Sequence, residues 1–241
     1  VFVRDRLAAT TERVSIGAGG QANSASASPA ISGNGRYVAF VSASTNLVAD
    51  DTNGVFDIFI HGRGLDLTQR VSVETNGAQA NNASVNPVIS VDGRRIAFQS
   101  AAMNLVPGDT NTVSEISVGD VDAGTTKRVS VSSLGDEADN FSFAPSISGN
   151  GRFVAFTSHA TNLVSGDTNG LSDVFLHDRR TGKTSRVSLS NAGRQLGGAS
   201  SGWHSYLSYD GRYVAFTSFA DDVVANDTND KTDVFVRDRG G

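Results

Sequence analysis

One string, Ser32-Gly-Asn-Gly-Arg-Tyr-Val-Ala-Phe40, returns with small changes as Ser90 to Phe98, Ser148 to Phe156 and Ser208 to Phe216, at offsets of 58, 58 and 60 residues. A second block, Asp51-Thr-Asn-Gly-Val-Phe-Asp57, returns from Asp109, Asp167 and Asp227 at the same offsets. A third, Arg-Val-Ser, sits at Arg13, Arg70, Arg128 and Arg186. Three separate blocks that share a period mean tandem repetition, and such a chain folds as copies of one supersecondary unit whose neighbours bury each other's apolar faces. The 241 residues therefore divide into four repeats, approximately 7–63, 64–121, 122–179 and 180–239. Residues 1–6, Val-Phe-Val-Arg-Asp-Arg, are an extra copy of the string at Val234 to Arg239.

Within a repeat every local pattern is β. Tyr37-Val-Ala-Phe-Val-Ser42 is rich in β-branched and aromatic residues, as a strand should be. The Asn-Gly or Asp-Gly pair before it (Asn34-Gly35, Asp92-Gly93, Asn150-Gly151, Asp210-Gly211) is the strongest short hairpin signal. Pro29-Ala-Ile-Ser32 reads as the strand before that turn. Asp57-Ile-Phe-Ile-His61 and Thr68-Gln-Arg-Val-Ser-Val73 read as the two after it. Four antiparallel strands per repeat, repeated radially, describe the blade of a β-propeller. A solenoid of stacked hairpins is the competing architecture, but its repeats are usually shorter. The expected fold is an all-β propeller in one domain, 1–241, either a four-bladed ring or four blades of a larger one.

The blade string Pro-x-Ile-Ser-x-Asn/Asp-Gly-Arg-x-Val/Ile-Ala-Phe resembles the WD40-like repeat of TolB-type bacterial β-propellers. The longer string Thr161-Asn-Leu-Val-Ser-Gly-Asp-Thr-Asn-Gly-Leu-Ser-Asp-Val-Phe-Leu-His-Asp-Arg179 resembles a variant found in large secreted bacterial proteins. The resemblance covers nearly the whole chain. It implies the propeller fold and a secreted, periplasmic or cell-surface setting, and it implies no particular activity, because propellers host many unrelated roles.

Composition narrows the function classes. With 19% charged residues and a net charge of -5 whose Lys and Arg are spread along the chain, no concentrated basic face is available for nucleic acid. No apolar run approaches the ~20 residues that a membrane-spanning helix needs. The absence of cysteine excludes disulfides, zinc-thiolate sites and a thiol nucleophile.

The most specific chemistry lies between the second and third strands. Asn46, Asp51, Asn53 and Asp57 recur as Asn104, Asp109, Asn111 and Glu115, as Asn162, Asp167, Asn169 and Asp173, and as Asp222, Asp227, Asn229 and Asp233. Side-chain oxygens at constant spacing, with Gly54 and Gly170 where the chain turns, suit a hard cation that takes 6–8 oxygen ligands. Nine of the 25 acidic residues stand at these positions and would repel one another without a cation. An oxygen-only donor set favours Ca2+ over zinc or copper. The plainer alternative is an Asx-turn in which each carboxylate caps nearby amides.

Other repeated charges are expected to serve the fold. Arg36, Arg94, Arg152 and Arg212, and the arginines of Arg-Val-Ser, are read as partners of a neighbouring blade's Asp or of backbone carbonyls rather than as an anion-binding face, and Asp5, Asp178 and Asp238 as such partners or as turn formers. His159 is expected at the surface, and His61 and His177 share a position with arginines, which speaks against a metal role.

Catalysis or ligand binding should break the repeat. The last repeat does so at Gly197 to Tyr206, where Trp203, His204 and Tyr206 form a candidate ligand platform. No G-x-S-x-G elbow is present. The expected function is a non-catalytic, calcium-binding propeller acting as a structural or protein-interaction module of an exported bacterial protein. The alternatives are a carbohydrate-binding, lectin-like module or a polysaccharide-active enzyme domain. The partner is a protein or polysaccharide, and the duplicated third strand allows head-to-tail self-association.

Overall fold

The computed structural model describes residues 1–240, with the side chains of 201–205 outside the description. Among the described residues every regular element is a strand, so no helix is long and apolar enough to cross a membrane. Two compact units divide the chain, Val1–Asp109 with Val118–Lys127, and Thr110–Ser117 with Arg128–Gly241.

The chain opens with a two-stranded ribbon, β1 (Phe2–Asp5) with β2 (Thr10–Arg13), and a small hairpin, β3 (Ile16–Gly17) with β4 (Gly20–Gln21). Next comes a four-stranded meander, β5 (Ser26–Ile31), β6 (Tyr37–Ser42), β7 (Asp57–Gly62) and β8 (Leu67–Arg70). β9 (Ser84–Ile89), β10 (Arg95–Ser100), β11 (Glu115–Asp120) and β12 (Thr125–Arg128) form the next sheet in the same order. β13 (Ser142–Ile147), β14 (Phe153–Ser158), β15 (Asp173–Asp178) and β16 (Lys183–Arg186) form another. The last sheet has three strands, β17 (Ser200–Leu207), β18 (Tyr213–Ser218) and β19 (Asp233–Asp238).

The repeated sequence gives a repeated register. Phe40 faces Phe59, Phe156 faces Phe175 and Phe216 faces Phe235 across the two middle strands. On the next edge Phe59 faces Arg70 and Phe175 faces Arg186, and in the opening ribbon Phe2 faces Arg13. The ribbon is therefore the outer half of a sheet in the same register.

The turn between the first two strands of each sheet is built by side chains. Ser32 Oγ accepts from Tyr37 N at 3.0 Å, and Asn34 Oδ1 accepts from Arg36 N at 3.0 Å. Ser90 with Asp92, Ser148 with Asn150 and Ser208 with Asp210 repeat the arrangement. The glycine that follows has a second duty at Gly93 and Gly211. Both have positive φ, 78° and 75°, and a Cβ there would meet the ring of Tyr37 or Phe153 at 2.3 Å. Only glycine allows both the turn and that close approach.

Two features depart from the expected strands. The first strand starts three residues before Pro29, at Ser26, because a bulge at Ser28 (φ 48°) lets Ser26 pair with Ser42. Asn86 and Ala144, also just before prolines, carry the same bulge. After the fourth strand comes an unexpected short hairpin, closed by the bridges Val73 with Gln79, Val131 with Glu137 and Leu189 with Gln195.

Apolar packing follows the repeats. In the first unit Ala39, Val41, Ile58 and Ile60 of one sheet pack with Val71, Ala80, Ile96, Phe98 and Leu105. In the second, Ala155, Val174, Leu176 and Val187 pack with Leu196, Val214, Phe216 and Val223. Each face buries several aliphatic side chains at about 1.5–3 kcal/mol apiece, so sheet-on-sheet burial is the main stabilising term.

Candidate functional site

The loop between the second and third strands is held from two directions. In the first copy the Asp51 and Asp57 carboxylates lie 3.2 and 3.5 Å from Arg70 Nη1, which also donates to Gln79 Oε1 at 3.0 Å. Asn53 turns inward: its Nδ2 donates to Asp57 Oδ2 and to Ala80 O, both at 2.9 Å, and its Oδ1 accepts from Val55 N. Ser72 completes the set, donating from Oγ to Asp57 Oδ1 at 2.5 Å while accepting from Ile58 N. The arginine, the serine and the apolar Val71 between them all come from one Arg-Val-Ser segment.

The third copy repeats this closely. Arg186 lies 3.3 Å from Asp167 and 3.4 Å from Asp173. Ser188 Oγ donates to Asp173 Oδ1 at 2.5 Å, and Gln195 Nε2 donates to Asp167 Oδ1 at 2.9 Å. In the second copy the longer Glu115 accepts from Arg128 Nη1 with both oxygens at 2.9 Å, and Arg128 Nη2 donates to Glu137 at 3.0 Å. Asn111 Nδ2 donates to Glu115 at 3.1 Å, and Asp109 opens that loop. In the fourth copy Asn229 Nδ2 donates to Asp233 at 3.0 Å. No ion pair of Asp227 or Asp233 is present among the described residues.

The leading residue of each copy lies elsewhere. Asn46 donates to Gln21 O at 2.8 Å and accepts from Asn23 N at 3.0 Å. Asn104 does the same with Gln79 O and Asn81 N, and Asn162 with Glu137 O and Asp139 N. Asp222 accepts from Gly197 N. These four clamp the linking hairpin and stand apart from the Asp/Asn/Asp set. Each proposed quartet thus splits into a clamp and a latch.

Sequence reasoning passed over one component of the latch. Gln79, Glu137 and Gln195 recur at 58-residue spacing, as does Gln21, which accepts from Arg13 Nη1. Their constant offset was the available signal. Their role became visible only with the short hairpin that carries them to the arginine.

Electrostatics follow from burial. Desolvation raises the carboxyls of Asp51 and Asp167 above their usual range, against the pull of Arg70 and Arg186. Burial pushes Asp173 up to about 6, opposed by Ser188 and Arg186. Among the described residues no three acids or histidines converge on one point. In the first three copies an arginine supplies the positive charge beside the terminal acid. Asp167 Oδ2 and Asp173 Oδ2 are buried and face the Arg186 guanidinium at 3.3 and 3.4 Å, as an ion pair without hydrogen-bond geometry.

Trp203 and His204 lie outside the residues whose side chains are described, and Tyr206 beside them is 64% exposed. His61 and His177 are buried, each with Nδ1 2.9 Å from a threonine hydroxyl, Thr68 or Thr184, and desolvation lowers both pKa values. His159, expected at the surface, is half-buried, with its ring 4.5 Å from that of Phe141. Arg152 and Arg212 bind Asp178 and Asp238 through paired hydrogen bonds within their own sheets rather than to a neighbouring blade, because the second and third strands pair there, and Asp5 caps Leu7 N and Ala8 N.

No family model and no curated protein matches the chain. Solved structures do. TolB from Acinetobacter baumannii is similar at 17% identity and a TM-score of 0.52, over 98% of this chain and 45% of that one. A provisionally named TolB from Agrobacterium tumefaciens is similar at 16% identity and 0.53, over 90% and 60%. Dipeptidyl peptidase 4 of Porphyromonas gingivalis is similar at 13% identity and 0.55, over 99% and 35%. The chain thus spans from about a third to three fifths of these proteins. At such identities the likeness shows the fold alone: an all-β propeller of the kind TolB carries.

Proposed function

We propose that the chain is a non-catalytic propeller module, one domain of four repeated blades, that gives an exported bacterial protein a structural or protein-interaction surface. One observation carries this reading. The repeated ionisable residues are used up in closing each sheet's loop onto its own fourth strand, as Arg70 is with Asp51, Asp57 and Gln79 and as Arg186 is with Asp167 and Asp173. A carboxylate already committed to an arginine and a serine makes a poor general acid. Repeated latches stabilise an array; they do not single out one reacting centre. The resemblance to secreted TolB-type repeats supports the exported setting. The test is a panel of glycans and polysaccharides offered to the intact chain. Neither binding nor cleavage is expected. Binding at one equivalent site per blade would replace this reading with the lectin-like one, and cleavage would replace it with the enzyme.

A second reading, calcium in the same loops, is supported by the Asp and Asn side-chain oxygens that recur there at constant spacing. A chelator-treated sample melted with added calcium, and with magnesium as control, tests it. Each occupied site should stabilise by about 2.7 kcal/mol at a hundredfold excess over its Kd. The rise should disappear when Asp51→Ala, Asp167→Ala and Asp227→Ala are combined. No rise leaves the arginine latch as the whole account of the loops.

A further inference from the structure

Because the sheets repeat, each is a control for what the fold itself requires at a given position. At the entry to the first strand the requirement is small. Asn23 Oδ1 accepts from Thr45 N and Asn81 Oδ1 from Met103 N, both at 3.0 Å. Two residues on, Ala43 N donates to Ala25 O and Ala101 N to Ala83 O. Ala27 and Val85 follow, facing Val41 and Gln99. The seam between β13 and β14 keeps these backbone pairings and changes the side chains. Asp139 takes the asparagine's place, accepting from Thr161 N at 2.8 Å and from Thr161 Oγ1 at 2.7 Å. Phe141 and His159 replace the pair of alanines, with His159 N donating to Phe141 O at 3.1 Å. Phe143 stands where Ala27 and Val85 do, and faces Thr157.

The three rings form one surface. Their centroids lie 4.5 Å apart for Phe141 and His159, 5.8 Å for Phe141 and Phe143, and 6.1 Å for Phe143 and His159. Phe141 is 41% exposed and Asp139 is exposed, so ring and carboxylate reach solvent together. The fold asks for neither, since alanine and asparagine hold the same backbone in the first two four-stranded sheets. Their chemistry selects the occupant. No lysine or arginine occurs between Arg128 and Arg152 or between Arg152 and Arg179, so the segments of the seam carry no lysine or arginine of their own. An aromatic face attracts a cation, and a flat, weakly hydrated guanidinium stacks on a ring better than an ammonium does. Among the described residues Asp139 takes side-chain hydrogen bonds from the neutral Thr161 alone, and each carboxylate oxygen has a further lone pair for a guanidinium N–H. A sugar would need free amides around the rings. Asn140 is engaged with Phe141 N at 2.9 Å, and Asn162 with Asp139 N at 3.0 Å and Glu137 O at 2.7 Å.

We propose that the face made by Phe141, Phe143 and His159, with Asp139 at its rim, binds an arginine side chain presented by a partner protein. The guanidinium lies over Phe141 and His159 and donates to the Asp139 carboxylate. The rings supply the apolar contact and the carboxylate supplies direction, so removing either one weakens the whole. The inference rests on the reading of the chain as an interaction module, and names the chemistry of the partner at one of its sheets.

The repeat supplies its own substitutions. Phe141→Ala and Asp139→Asn each install what the first two four-stranded sheets carry, so both variants should keep the circular dichroism of the parent. The probe is a fluorescein-labelled peptide, Gly-Arg-Gly-Arg-Gly-Arg-Gly, followed by anisotropy in about 50 mM salt, where exposed charges are weakly screened. Peptides with lysine, or with uncharged citrulline, in place of arginine are the controls. The arginine peptide should bind, the lysine peptide about threefold more weakly, and the citrulline peptide at least about tenfold more weakly. Phe141→Ala and Asp139→Asn should each weaken the arginine peptide about tenfold. Asp66→Asn, which alters an exposed acid of the first unit, should leave its affinity unchanged. No binding overturns the inference, as does binding that Phe141→Ala leaves intact or that lysine supports equally. Binding weakened as much by Asp66→Asn as by Asp139→Asn is attraction to the net charge of -5, and overturns it too. A glycan bound by the parent and lost in Phe141→Ala would sink both this inference and the interaction reading. If the peptide fails and every glycan is refused, the arginine site falls and the interaction reading stands.

Discussion

The β13–β16 sheet and the β17–β19 sheet spell nearly the same sentence and experience different surroundings. Their middle strands pair in one register, with Phe156 and Phe175 rings 6.0 Å apart and Phe216 and Phe235 rings 5.9 Å apart. In the former every residue of the third strand is buried. In the latter burial alternates, and among the described residues no arginine meets its acidic loop. The repeat thus fixes strand pairing locally, while the energy of the blade comes from what is laid on its face and outer edge. A residue conserved in kind along the chain need not be equal in consequence.

The comparison breaks most visibly at the rings. Phe175→Ala removes a fully buried side chain and should cost about 3–5 kcal/mol, whereas Phe235→Ala, half-buried, should cost less than half as much. Urea unfolding followed by circular dichroism reads both, and equal costs would refute the claim that packing sets the two sheets apart. The next largest contrast lies in charge. Arg186→Met leaves Asp167 and Asp173 buried without their cation, a loss of about 3 kcal/mol. Asp227→Asn in the last blade touches no ion pair and should leave the unfolding midpoint unmoved. If calcium restores the stability of Arg186→Met, the loop accepts a cation in the arginine's place.

Much of this was legible in the sequence because it repeats. The period located the sheets and the Asn-Gly and Asp-Gly pairs located the hairpins, whereas Arg152 and Arg212, expected to reach a neighbouring blade, pair with Asp178 and Asp238 of their own sheets. The clamp–latch division was hidden, because Asn46 and Asp51 are close in sequence yet reach different hairpins through contacts more than twenty residues away. The early start of the first strand was hidden too: a residue before proline is biased towards extended backbone, and nothing local announces that Ser28 adopts φ 48° instead. Acids at constant spacing suggested a cation, which is physically sound. In three copies the nearest positive charge is an arginine that the chain itself brings from the fourth strand.

The smallest contrast concerns pH. Arg152 holds Asp178 well below the usual carboxylate range through two hydrogen bonds of 2.8 and 2.6 Å, and Arg212 holds Asp238 down to about 2 through bonds of 2.8 and 2.7 Å. A carboxyl whose folded pKa is depressed stabilises the fold above its unfolded pKa, near 4, and that contribution is lost as pH falls through the folded value. Asp178 is largely buried, so Asp178→Asn should lower stability at pH 7 by about 1–2 kcal/mol. The gap between variant and parent should close progressively from about pH 4 downwards. Asp238 carries the same pair in open solvent, where water screens it, and Asp238→Asn should track the parent at every pH. Unfolding midpoints between pH 7 and pH 2 measure both curves. A gap at Asp238 as wide as that at Asp178 would mean that the outer edge of the last sheet is covered in solution.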